Sequence, residues 1–235
     1  MSTTFTALLA ERLRHDPGRP LVTFYDAASG ERTELSVTTY ANWVAKTASL
    51  FAEELDVERG DRLLVDLRTH WLGPVVLGAA WTVGLEVVWG GESEAIFCGP
   101  ESLGTHAEQA AAKPVVASAL APMAVRFSDP LPAGVHDLGV EVWSQPDAFV
   151  AWDPPTADDA AVDGTTHEAL WRAAVARESP RDGRLVTESN PASPSGLDSF
   201  VVPFAQRGSL VLVTQADPAL LDATAVAERA TVRHL

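Results

Sequence analysis

Residues 61–89, "DRLLVDLRTHWLGPVVLGAAWTVGLEVVW", set a short apolar run, an Ala- and Gly-rich helical pattern and a second short apolar run end to end. Two strands joined by a helix through short connections close as a right-handed crossover between parallel neighbours. The alternation then continues with "AIFCGP", a helical pattern around Gly104 to Ala112, "PVVAS", "DAFVAW", a helix from Thr166 to Ala176, "GRLVTE" and "SLVLVT". Repetition of this unit along most of the chain predicts an α/β protein with a doubly wound parallel sheet, or two such sheets, flanked by helices.

The first 55 residues follow a different rhythm. Ala7, Leu8, Ala10 and Leu13 predict a helix over residues 6–14, ended by Pro17 and Pro20. "LVTFYDAASGERTELS" alternates on both sides of Gly30, as a β-hairpin does. Tyr40, Val44, Ala48, Phe51 and Leu55 are three or four residues apart, which buries one face of a long helix. Residues 121–145 hold three prolines and no steady period, so irregular connections around one or two short strands are expected there; residues 179–196 read as loops around a single strand.

An apolar fraction of 46% over 235 residues supports a sizeable core. Seventeen basic residues, of which only Lys46 and Lys113 are lysines, face 32 acidic ones. The net charge of -15 repels nucleic-acid backbones and anionic membranes. The longest apolar stretch, Gly73 to Val88, carries Glu86 and is too short and too interrupted to span a bilayer. The opening "MSTTFTALLAERLRHD" lacks the pattern of a signal peptide, so the expected location is cytoplasmic. A single cysteine, Cys98, allows no intrachain disulfide, and its apolar flank predicts an inert buried thiol.

Arg19 to Val88 resembles the opening of the adenylate-forming enzymes, the superfamily of acyl-CoA synthetases, peptide-synthetase adenylation domains and luciferases. The resemblance rests on Val37 to Tyr40 after the hairpin, the helix from Ala41 to Leu55, the turn Gly60-Asp61-Arg62-Leu63 and the Ala/Gly-rich Leu77 to Gly84. It extends more faintly through "DAFVAW", "TTHEALWRAA" and "SFVVPFAQRGSLVLVTQADPALLDATAVAERATV", roughly residues 6–232. It implies a single lobe over residues 1–235, with a subdivision into 1–120 and 121–235 as an alternative, corresponding to the N-terminal lobe of such an enzyme. The catalytic second half, its adenine- and ribose-binding motifs and the C-terminal domain with its lysine are expected to be absent.

The family's phosphate loop reads approximately Ser-Gly-Thr-Thr-Gly-x-Pro-Lys-Gly, in which freed amides, hydroxyls and a lysine cradle ATP phosphates. Counting back from Thr166-His167, the same length of loop here runs from Asp153 to Asp163 and includes Thr156, Asp158 and Asp159. Taking Gly164-Thr165-Thr166 as the loop leaves His-Glu-Ala-Leu-Trp in place of the lysine segment, and no lysine follows Lys113 in either alignment. A carboxylate about 5 Å from a phosphate costs roughly 3 kcal/mol, and a lost cation a similar amount. Together they weaken triphosphate binding about 10,000-fold. The plainer reading is a solvated turn in which Thr165 or Thr166 caps the helix begun at Glu168. No cofactor is therefore expected, and ATP or AMP binding is disfavoured.

His15, His70, His106, His136, His167 and His234 show no ligand spacing, so no metal site is expected. No Gly-x-Ser-x-Gly or Gly-x-Gly-x-x-Gly occurs. His70 follows a strand's carboxyl end, where open α/β sheets bind ligands, and is a weak candidate contact or a helix-start residue. Trp43, Trp71, Trp81, Trp89, Trp143, Trp152 and Trp171 fill the core, or in part form an apolar patch for a partner. Two functional readings follow. The first is a non-catalytic relative of acyl-CoA synthetases, a pseudoenzyme with interaction, scaffold or regulatory duties, joined to a protein partner or to itself. The alternative is a component of a ligase system that binds an acyl or nucleotide ligand, or completes its site with a partner chain.

Overall fold

The structure, a computed structural model, describes residues 4–122 and 125–233. Helix α1 (Phe5–His15) starts at Thr4, whose hydroxyl accepts from the Ala7 amide. The hairpin β1 (Pro20–Asp26) and β2 (Glu31–Ser36) turns at Gly30. Ser36 caps α2 (Val37–Ser49), which runs into a π-helical turn, Leu50–Glu54. Then come β3 (Arg62–Asp66), α3 (Leu72–Val83), β4 (Glu86–Val88), β5 (Ala95–Cys98), α4 (Pro100–His106) and β6 (Val115–Ala117). Beyond them lie β7 (Val135–Asp137), α5 (Leu138–Glu141), β8 (Ala160–Val162), β9 (Thr165–Thr166) and α6 (His167–Ala176). The last elements are β10 (Arg184–Thr187), α7 (Asp198–Ala205), β11 (Ser209–Thr214), α8 (Pro218–Ala227) and β12 (Val232–Arg233).

Among the described residues these strands form two sheets, ordered β12-β10-β11-β1-β2 and β7-β6-β5-β3-β4-β8-β9. All neighbours are parallel except the two hairpins at the edges, β1 with β2 and β8 with β9. The expected β3-α3-β4 crossover is present, with β3 and β4 adjacent and parallel.

Strand alternation explains the layering. Leu210 and Leu212 of β11 and Phe97 of β5 point into one continuous core shared with Phe5, Tyr40, Trp81, Trp171 and Phe204 of the intervening helices. Ile96 and Cys98 face the opposite side of the second sheet, and Val211 and Val213 the opposite side of the first, under Ala225 of α8. The order is helix, sheet, helices, sheet, helix. Strands buried on both faces are continuously apolar, as "SLVLVT" and "AIFC" are. Among the described residues no helix is long and apolar enough to cross a membrane.

One expectation is corrected. "DAFVAW" is not a strand: Val150 and Trp152 are exposed, and only Phe149 packs partly against the core. The open edge of β4 is taken instead by β8, through Val87 and Val162. Two prolines, Pro154 and Pro155, stand one residue beyond the segment and supply no amide for a ladder. In the 121–145 region the single strand β7 is joined by α5 and a 3-10 turn, Val142–Ser144; Met123 and Ala124 lie outside the described residues.

Candidate functional site

Asp163 and Gly164 both take positive φ, 42° and 75°, and reverse the chain between β8 and β9. This is the left-handed pair that a two-residue hairpin turn demands. The Gly164 amide donates to Glu86 Oε1 at 2.6 Å. Thr166 Oγ1 accepts from the Ala169 amide at 3.2 Å and caps α6, while Thr165 is exposed. Gly164-Thr165-Thr166 is thus a hairpin turn followed by a helix cap, with its glycine amide already bonded to a carboxylate.

The preceding loop is organised by a residue that the sequence pattern did not single out. Arg59 grips Asp159 with both arms of its guanidinium: Nε donates to Oδ2 and Nη2 to Oδ1, each at 2.9 Å. Its third nitrogen, Nη1, donates to Asp153 Oδ1 at 2.8 Å. Asp159 Oδ2 also accepts from the Thr156 amide at 2.6 Å and the Thr156 hydroxyl at 3.2 Å. Burial pushes the Asp159 carboxyl up, but the hydrogen bonds from Arg59 and Thr156 outweigh it and hold the group below its ordinary value. Asp158 is exposed.

Local sequence makes the clamp possible. Gly84 ends α3 at φ 98°, and a Cβ there would stand 2.9 Å from Arg59 Cγ and 3.3 Å from Pro155 Cβ. A larger residue would wedge the arginine and the loop apart. Arg59, Gly84 and Asp159 lie just before β3, β4 and β8, so the clamp sits at the amino ends of three parallel strands. Open α/β sheets bind their ligands at the other, carboxyl, edge. A nearby hollow of about 310 Å³ is walled by Val57, Val83, Phe149 and the exposed Trp152.

Both candidate histidines are core residues. His70 is completely buried, and its Nδ1 accepts from the Leu72 amide at 3.2 Å, which starts α3. Its ring meets Phe24 edge-on with centroids 4.8 Å apart. Burial first, then the charge of Arg68, pushes its pKa down to about 3. His167 is also completely buried, neither ring nitrogen has a partner, and burial lowers its pKa to about 4. Both imidazoles are neutral at physiological pH and cannot serve as surface bases.

His106 pairs with Asp66 at 2.9 Å and His136 with Glu141 at 3.1 Å; His15 is exposed and His234 lies outside the described residues. Among the described residues no three His, Cys, Asp or Glu side chains are grouped to hold a metal ion. Cys98 is buried, and its thiol is pushed up to about 12 by burial and then by Asp66, so it is unreactive. Trp71, Trp81 and Trp171 are core residues, whereas Trp143 and Trp152 are exposed.

At the carboxyl edge, Arg68 and Thr69 after β3 face Glu188 after β10 and Thr214-Gln215 at the end of β11, around an open groove of about 260 Å³. Arg68 pairs with Glu101 at 2.9 Å. Sequence reading marked His70 at this edge; its neighbours Arg68 and Thr69 are the ones that face the groove.

No family model matches the chain. A Mycobacterium tuberculosis protein described as a TIGR03089 family protein is 31% identical over 240 residues, which covers 98% of this chain and 97% of that one. Among solved structures, a Brucella canis acyl-CoA synthetase superposes with a TM-score of 0.75 at 15% identity over 97% of this chain. MatB of Rhodopseudomonas palustris gives 0.73 at 19% identity over 99%. A benzoate CoA ligase of Burkholderia xenovorans gives 0.74 at 18% identity over 98%. The chain spans 46–49% of these three structures, about half their length. The fold is the one these synthetase and ligase structures share over about half of their length.

Proposed function

The chain belongs to the TIGR03089 family, and from that premise we propose that it is a non-catalytic member of the adenylate-forming fold that acts as an interaction or scaffold protein in the cytoplasm. The reading rests on one observation. The loop that the sequence aligns with the superfamily's phosphate loop carries carboxylates, and Arg59 is spent on holding Asp153 and Asp159 in place. A triphosphate arriving there would have to break a bidentate ion pair and then face both carboxylates bare.

The interaction half of the proposal is supported by Trp152 and Val150, which project from the irregular 147–153 segment with 102% and 90% exposure. Exposed tryptophan is uncommon on a lone surface and frequent in binding surfaces. Calorimetric titration with ATP and magnesium tests the first half: no binding tighter than about 0.1 mM is expected, and a tighter constant sinks the proposal.

A second reading, a ligand-binding component of a ligase system, is favoured by the carboxyl-edge groove bearing Arg68 and Thr69. It calls for a rise in melting temperature with benzoate, AMP or coenzyme A that is lost in Arg68→Gln. No rise with any of the three leaves the interaction reading standing alone.

A further inference from the structure

Helix α1 carries an arginine where its apolar stripe calls for a hydrophobe. Phe5, Leu9 and Arg12 are its buried residues, spaced to share one face, and Arg12 is only 7% exposed. Its guanidinium lies 5.5 Å from the centre of the Phe204 ring. It donates to the carbonyls of Phe204 at 3.2 Å and Gly208 at 2.8 Å, at the end of α7 and the start of β11. Those two bonds use part of a five-donor fork. Among the described residues it is paired with no carboxylate, which is unusual for a buried charge in a protein of net charge -15.

The same guanidinium borders a cavity of about 100 Å³ into which three more arginines turn: Arg19, Arg181 and Arg207. Arg19 and Arg207 share one carboxylate, Asp182 Oδ1, at 3.3 and 3.7 Å. Arg181 sits on the exposed turn before β10. Glu11 and Asp16 are the other acids at the rim, so four arginines face three carboxylates where the molecule as a whole is strongly acidic. Burial, and next the charge of Arg19, lowers the Arg12 pKa to about 10 against the opposing pull of Asp182 and Asp16. The cavity opens at the amino ends of β1, β10 and β11, in the other sheet from the Arg59 clamp.

We propose that this cavity binds a small tetrahedral oxyanion, either inorganic phosphate or the head of a phosphate monoester, with Arg12 at its floor and Arg181 and Arg207 as its movable walls. The volume admits one such group and excludes a nucleoside. Planar guanidinium forks suit phosphate oxygens, and a fixed buried arginine costs the complex little further ordering. The site is independent of the proposed loss of ATP binding, since it shares no residue with the clamp.

Isothermal titration at constant ionic strength tests it with two probes, inorganic phosphate and glycerol 3-phosphate. Saturable binding of at least one, with a dissociation constant of about 1 mM or tighter, is expected, weakened roughly tenfold or more in Arg181→Gln/Arg207→Gln. Binding of inorganic phosphate assigns the free ion, and binding of glycerol 3-phosphate alone assigns the monoester. Absence of saturable heat with both probes overturns the proposal, as does equal affinity in wild type and double variant. Should the double variant melt lower than wild type, Arg181→Gln alone, on an exposed turn, gives the same readout.

Discussion

At the scale of single residues, the acidity of the 153–163 loop is visible in its letters, but its partner is not. Arg59 is 94 and 100 residues away from the aspartates it holds, and nothing in a linear pattern pairs residues over that distance. Arg59→Gln should leave Asp153 and Asp159 facing each other and raise the protease sensitivity of the 153–159 segment; unchanged cleavage would remove the clamp's structural role. The two buried histidines give a pH dependence. Their folded pKa values, about 3 for His70 and about 4 for His167, lie below the unfolded value of 6.5. Between those limits the unfolded chain binds protons that the folded one does not, so stability is complete above pH 6.5 and falls as pH drops below it. At pH 5 each histidine lowers stability by about 2 kcal/mol. Urea unfolding should therefore show the loss between pH 7 and pH 5 shrinking by about 2 kcal/mol in His167→Leu. An equal loss in both proteins would contradict the neutral buried assignment.

Among elements, those with an unmixed period were legible. The hairpin around Gly30, the stripe from Tyr40 to Leu55 and the β3-α3-β4 unit all carry their packing in their spacing. "DAFVAW" carries strand spacing as well, yet strand formation needs a free neighbour, and β8 claims the edge of β4. Pairing competition of this kind is settled by the whole sheet and leaves no trace in a window of six residues. The outer helix α8 is a second case, with only Thr224 and Ala225 buried. It is tethered by polar contacts: Glu228 accepts from Tyr25, Arg32 and Arg184, and the Arg184 and Glu228 side chains are 14% and 11% exposed. Glu228→Ala removes the nearer carboxylate of Arg184, leaves it only Glu34 at 3.9 Å, and should destabilise the protein by about 2 kcal/mol. Hydrogen exchange should then quicken first in α8, and uniform exchange across the molecule would speak against a local tether.

For the molecule as a whole, the exposed side chains divide stability from association. Trp152→Ala removes no buried surface, so its melting temperature should match wild type within about 1 °C. Sedimentation should show self-association or partner binding reduced by the same change; association unaffected by it would move the interaction surface elsewhere. The fold class was readable from the strand and helix alternation because that rhythm is repeated many times. The layering was less so, since strand order in the two sheets depends on pairings far apart in the chain. Val22 of β1 lies beside Leu210 of β11, with most of the chain between them. On the ribosome the opening hairpin therefore emerges long before its central neighbour exists. It must wait, one edge unpaired, while the strands of the second sheet are made and can assemble around β3. Closure of so long a loop is slow, and an unpaired edge in the meantime is a template for the wrong chain. The protein's exposure to misassembly is thus greatest before β10 and β11 are synthesised, and chaperone capture of nascent chains should fall once they emerge.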